Sequence, residues 1–216
     1  MDFFNVNTVM LSIFGYDLSY IEFFGTIFYF LSAILIALKR IETWPASIIS
    51  VILYGIIFFQ IQLYADMLEQ VYYFIISFYG WVYWEKQKKE KKERFYFSKP
   101  PTIFLYVIIT LLLTYIFYVV IVNLHNWFPE VFVEEASYPV LDSFTTVMSL
   151  IAMYLITVKK IEGWVYWIIV DLIGIGLYWV KSVKFISIQY VFLLIIAVYG
   201  LLNWMYKRKQ QSHNII

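Results

Sequence analysis

The run KRIETW at Lys39–Trp44 recurs as KKIEGW at Lys159–Trp164, displaced by 120 residues. The same displacement, without a gap, carries Tyr79, Gly80 and Trp84 onto Tyr199, Gly200 and Trp204. Seven identities at one shift, in two separate stretches, mark an internal repeat. What repeats follows from the apolar runs around them. Seven segments are long enough to span a bilayer: Tyr20–Leu38, Trp44–Ile61, Asp66–Trp84, Thr102–Val122, Val140–Val158, Trp164–Val180 and Ile186–Tyr206. A helix of about 18–20 residues covers a hydrocarbon core of roughly 30 Å. Continuous apolarity points to helices, because barrel strands alternate polar and apolar residues. Each repeat takes three spans and leaves residues 102–122 between them. Three is odd, so this extra crossing returns the second repeat to the orientation of the first. The sequence therefore predicts an all-α membrane protein with seven transmembrane helices in a 3+1+3 parallel-repeat arrangement, its pseudo-two-fold axis along the membrane normal.

The chain divides accordingly. Residues 1–19 form an N-terminal interfacial segment, 20–85 the first three-helix bundle, 86–101 a basic cytoplasmic loop and 102–123 the linking helix. Residues 124–139 form a periplasmic loop, with Glu130, Glu134 and Glu135 beside Trp127 and Phe128. The second bundle spans 140–206 and the tail 207–216. Met1–Ser19 has no basic run and no small-residue cleavage pattern, so it reads as an interfacial helix rather than a signal peptide.

Composition agrees: 62% of the 216 residues are hydrophobic and 14% charged, far from an average soluble domain. The absence of Cys excludes disulfides, thiolate catalysis and Cys-ligated metals. His125 and His213 are not paired on a helix, so neither a metal site nor a cofactor is expected. The net charge of +1 is uninformative, but its distribution is not. Lys39, Arg40, Lys86, Lys88, Lys89, Lys91, Lys92, Arg94, Lys99, Lys159, Lys160, Lys207, Arg208 and Lys209 fall on one side; only Lys181 and Lys184 fall opposite. The positive-inside rule puts the N-terminus outside and the C-terminus in the cytoplasm. Lys86–Arg94 is thus a topology determinant beside the lipid bilayer, not a nucleic-acid site.

Within the spans, WVYWIIVDLIGIGLYWVK at Trp164–Lys181 carries an acid near its middle. Trp164, Trp167, Asp171 and Tyr178 share one helical face. A carboxylate at membrane depth turns toward protein or a water-filled cavity, and repeat transporters hold their sites between the repeats. Aromatic rings flanking an acid suit a flat, cationic molecule. The third span presents Asp66, Gln70, Tyr73 and Ser77 on one stripe, and the seventh presents Gln189, Gly200 and Asn203. Their amides serve either a polar ligand or helix association. Trp44, Trp84, Trp164 and Trp204 read equally as site residues or as an interfacial aromatic belt. Lys181 reads as a snorkelling side chain, and Glu42 and Glu162 as local partners of neighbouring bases.

The run WPASIISVILYGIIFFQIQLYADMLEQVYYFIISFYGWVYW at 44–84, the Trp164–Lys181 stretch and the closing YGLLNW at 199–204 together resemble the PnuC family of bacterial vitamin transporters. The resemblance covers roughly Phe23 to Lys207. It implies the same 3+1+3 arrangement and facilitated diffusion of nicotinamide riboside, without an ATPase or a coupling ion. It also implies accumulation through phosphorylation by a cytoplasmic kinase. Relatives carrying thiamine or riboflavin share the fold, so those substrates stay open. For a cationic pyridinium bearing a carboxamide and a ribose, Trp167 or Trp164 would stack and Asp171 would meet the charge or the ribose hydroxyls. Gln70, Gln189 and Asn203 would supply hydrogen bonds. Tyr54, Tyr73 and Tyr178 would line or gate the path, with Asp66, Lys181 and Trp44 as gate or access residues.

An enzyme is not expected, since no His, Cys or paired deep carboxylates form a catalytic set. Proton-coupled uptake through Asp171 is the alternative. Under the 120 shift, however, Asp171 meets Val51 and not a second acid, which favours a substrate contact. The fourth helix is free to pack against another protomer in a homo-oligomer.

Overall fold

The computed structural model describes residues 3–13, 15–61, 64–91, 94–130, 137–180 and 184–213. Two strands, β1 (Val9–Ile13) and β2 (Tyr16–Ser19), precede seven helices: α1 (Tyr20–Ala37), α2 (Thr43–Gln60), α3 (Tyr64–Lys89), α4 (Pro100–Trp127), α5 (Pro139–Thr157), α6 (Glu162–Val180) and α7 (Lys184–His213). Six of these are long and apolar enough to cross a membrane; α3 is the exception by composition. It is 26 residues long, but spends part of its length on Asp66, Glu69, Gln70 and several tyrosines.

Moved by 120, α1, α2 and α3 begin within one residue of α5, α6 and α7. Packing follows the same rule. Consecutive helices pair within each half, and α1 meets α7 as α3 meets α5, which closes a ring of six. These two closures are the same contact under a two-fold, as a 3+1+3 repeat requires. Helix α4 packs chiefly on α5 outside the ring. Among its described residues only Thr110 is buried, as expected of a helix whose apolar surface faces lipid.

The repeated motifs explain the joints. Two residues past the end of α1 stands Lys39 at φ 62°, and two past the end of α5 stands Lys159 at φ 61°. In each, the N–H after this left-handed residue turns back to the helix, Arg40 to Leu35 O and Lys160 to Leu155 O, which satisfies carbonyls the helix leaves open. The next helix then opens with its tryptophan laid on a glycine of the third helix. A Cβ on Gly80 would stand 2.4 Å from the Trp44 ring, and one on Gly200 2.6 Å from the Trp164 ring. The third-helix tryptophans tie across the halves: Trp84 Nε1 donates to Thr157 O (2.8 Å) and Trp204 Nε1 to Ile36 O (3.1 Å). All four rings are therefore core, at most 3% exposed, and not the lipid-facing belt that their position suggested. The glycines let the rings sink between helices, and burying aromatic area outweighs leaving them at the interface.

Three further differences have local causes. The N-terminal segment is an antiparallel hairpin, not an interfacial helix, turning at Gly15 with φ 80°. Gln60 holds it by accepting from Val6 N and donating to Phe4 O, and Tyr16 stacks on Phe185 at 5.1 Å. Ser19 then caps α1 through a reciprocal bond with Glu22. Helices α3 and α7 continue through Lys89 and His213, beyond the expected span ends, because Lys, Glu and Gln propagate helix well. Of the two loop acids, Glu42 pairs with Arg40 at 2.7 Å, which pulls its carboxyl down to about 2. Glu162 instead accepts from Ser98 N in the 86–101 connection.

Candidate functional site

A cavity of about 380 Å³ lies at the centre of the ring, lined from all six of its helices and not from α4. Such volumes suit a small organic ligand. Helix α1 contributes Tyr29 and Ser32; α2 contributes Ser47, Ser50 and Tyr54; α3 contributes Asp66, Glu69, Gln70 and Tyr73. Helix α5 adds Ser149 and Met153. Helix α6 adds Trp164, Trp167, Asp171 and Tyr178, and α7 adds Gln189 and Tyr190.

The chemistry of this wall is one-sided. Three carboxylates, Asp66, Glu69 and Asp171, line it, and no Lys, Arg or His does among the described residues. They do not gather closely enough to hold a metal ion. Asp171 is 2% exposed, yet among the described residues nothing hydrogen-bonds its carboxylate. Buried polar groups are nearly always satisfied, so this one turns its bonding capacity to the cavity. Glu69 is anchored by Thr146 Oγ1 at 3.0 Å. Asp171, expected as a contact, and Asp66, expected as a gate residue, are thus joined by a third acid, Glu69, one turn after Asp66 on α3.

Aromatic rings fill the remaining wall. Tyr178 stacks on Tyr190 with centroids 5.4 Å apart and planes 17° apart. Tyr54 sits between Phe58, stacked at 5.8 Å, and Tyr29, edge-on at 6.3 Å, while its hydroxyl shares a 2.9 Å bond with Thr26. The Tyr178–Tyr190 stack depends on Gly174, where a Cβ would stand 2.6 Å from the Tyr190 ring. Gly176, two residues on, has nothing within 4 Å of a Cβ. Gly174→Ala should therefore push Tyr190 into the cavity and weaken ligand binding about tenfold, while Gly176→Ala stays within about twofold. Calorimetric titration of the two variants checks this.

Of the residues singled out from sequence, the cavity brings together Asp171, Trp167, Trp164, Gln70, Gln189, Tyr73, Tyr54, Tyr178 and Asp66. Asn203 is elsewhere: its amide donates to Ala37 O and accepts from Lys39 Nζ at 2.5 Å, fastening α7 to the end of α1. Trp44 lies behind the wall, on Gly80. Lys181 lies outside the described residues, as do Lys92, Glu134 and Glu135. Glu69, Tyr29 and Tyr190 were missed. Glu69 stands at i+3 from Asp66 and i−4 from Tyr73, so helical spacing could have found it; Tyr29 and Tyr190 carry no such signal.

Comparison with known proteins points one way. Residues 19–206 match the family model described as nicotinamide mononucleotide transporter. A protein of Escherichia coli (strain K12) named nicotinamide riboside transporter PnuC is 31% identical, with 98% of each chain covered. One of the same name from Neisseria mucosa is 25% identical over 84% of this chain and 70% of that protein. A solved structure described as the vitamin B3 transporter PnuC superimposes with a TM-score of 0.65 at 22% identity, covering 88% of this chain and 83% of that one.

Proposed function

The chain belongs to the nicotinamide mononucleotide transporter family, a family of membrane transporters and not of enzymes, and from this premise we propose that it carries nicotinamide riboside by facilitated diffusion. The observation that carries the reading is the cavity wall, which joins Asp66, Glu69 and Asp171 to stacked aromatic rings and offers no described cation. A pyridinium ring gains from both, since its charge is attracted to carboxylates and to ring faces where water is excluded. Trp164, Trp167 and the Tyr178–Tyr190 pair offer the faces. Gln70 and Gln189 offer paired donors and acceptors for the carboxamide and the ribose.

The same wall argues for the riboside over its mononucleotide. A phosphate adds negative charge beside three carboxylates, with no Lys or Arg among the described lining residues to meet it. Phosphorylation by a cytoplasmic kinase would therefore trap the product inside and drive net uptake. In this reading the protein sits in a bacterial inner membrane, with its Lys-rich connections in the cytoplasm and its N-terminus outside.

Titration of the purified protein with nicotinamide riboside, its 5′-phosphate and thiamine tests the assignment. The riboside should bind about a hundredfold more tightly than its phosphate. Binding of thiamine alone would transfer the site to another cationic vitamin. In kinase-free proteoliposomes uptake should level off at equal concentrations on both sides. A second reading, proton-coupled uptake, is favoured by the three carboxylates sharing one cavity. It predicts accumulation above equilibrium that collapses when the proton gradient is dissipated.

A further inference from the structure

The connection between α3 and α4 exposes Lys91, Arg94 and Lys99, yet its Phe95 is 2% exposed. The ring lies 4.6 Å from Trp204 and 6.4 Å from Trp84, so it packs against third-helix tryptophans of opposite halves where these meet each other at 6.0 Å. Lys159 Nζ stands 4.6 Å over Trp84 and 5.4 Å over Phe95, closing the cluster from the third side. The backbone around Phe95 is sewn to the second half. Phe95 N donates to Gln211 Oε1, Tyr96 N to Lys159 O, Ile161 N to Tyr96 O, and Ser98 N to Glu162. The segment thus starts on α3 of the first half and is fastened to the α5–α6 turn and the far end of α7.

Among the described residues this fastening has no counterpart in the other half. There Lys39 is held directly by Asn203, whereas the residue matching Asn203 in the first half is Tyr83. Phe95 takes the position over Lys159 that an amide fills over Lys39. The cluster is also the floor of the cavity, because Ile36, Ile156, Trp164 and Ala197 belong to both. A ligand leaving on that side must part the rings that Phe95 clasps.

We infer that residues 94–99 form a strap that latches the two halves together beneath the cavity, and that release of Phe95 from Trp84, Trp204 and Lys159 opens the exit on the Lys-rich side. Its identity as the cytoplasmic exit rests on the orientation proposed above; the latch itself does not depend on the substrate. Its bonds are few and lie at helix ends and loops, the low-stability parts of a fold from which moving elements are drawn.

The test exploits the absence of native cysteine. Ala197→Cys places a thiol in the floor, and a membrane-impermeant reagent on the Lys-rich side reads its exposure. Phe95→Ala should speed labelling about tenfold, and Phe95→Leu, which still fills the space, about twofold or less. No acceleration overturns the latch. A second arm avoids destabilisation: Tyr96 and Lys160 are bridge partners, so Tyr96→Cys with Lys160→Cys permits a staple across the strap. Oxidation should cut nicotinamide riboside counterflow about tenfold, reversibly by reductant, with ligand affinity held within about twofold. Equal counterflow with and without the staple also overturns the latch. If labelling responds to Phe95 but no riboside binds, the latch stands and the substrate assignment falls.

Discussion

Asp171→Asn is expected to weaken nicotinamide riboside binding by about a hundredfold, close to 2.8 kcal/mol, without harming the fold. Asp171 is buried, lines the cavity beside Trp164 and Trp167, and has no hydrogen bond from the described residues. Removing a charge partner in a dry site costs far more than at a surface, where such pairs contribute about 1 kcal/mol or less. The fold should gain, because a carboxylate held out of water without partners is a burden that an isosteric amide lightens. The melting temperature of the variant should therefore be equal or higher by a few degrees. Its mode of action is separable by ligand. The ring-reduced riboside is uncharged, so it should bind wild type and Asp171→Asn alike if the carboxylate serves the cation. Equal losses for both ligands would assign Asp171 to the ribose hydroxyls. Unchanged binding of both would make it a structural acid and remove it from the site.

How much of this was legible depends on whether a residue's role is set by its neighbours in sequence. Spans rest on continuous apolarity, and the shift of 120 rests on identity, so both survive in a single chain; the helices start within two residues of expectation everywhere but at α1, where they coincide. Asp171 was legible because a lone acid at bilayer depth has few explanations. Packing partners were not. Trp44, Trp84, Trp164 and Trp204 stand where interfacial tryptophans belong; Gly80 and Gly200, distant in sequence, admit Trp44 and Trp164 to the core, and carbonyls of the other half receive Trp84 and Trp204. Asn203 carried the same ambiguity as Gln189, and a backbone carbonyl at the end of α1 decided its place. Tyr29 and Tyr190 are two among the chain's 20 tyrosines, most of them on helices, with nothing local to distinguish them. Phe95 is the clearest case. It is one of three consecutive aromatics, Phe95, Tyr96 and Phe97, in a basic loop, and nothing local singles it out, so its burial against both halves follows only from tertiary structure.

Gly200→Ala and Gly80→Ala should cost similar stability and differ in function. An added Cβ would meet Trp164 at 2.6 Å in one case and Trp44 at 2.4 Å in the other, closer than real side-chain carbons approach. Neither ring has room to retreat: Trp164 is edge-on to Trp204 at 5.5 Å, and Trp44 to Trp84 at 5.3 Å, within one continuous cluster. Overpacking such a core costs about 3 kcal/mol, read as a fall of several degrees in detergent melting. The rings then part ways. Trp164 lines the cavity and Trp44 does not, so Gly200→Ala should weaken riboside binding about tenfold while Gly80→Ala leaves it within about twofold. A smaller ring should undo each defect, so Trp44→Phe added to Gly80→Ala should recover more stability than either single change predicts. Riboside affinity lost equally in both glycine variants would mean that the tryptophan cluster governs the site as a unit. Trp164 would then have no contact of its own with the ligand, and the stacking face would pass to Trp167.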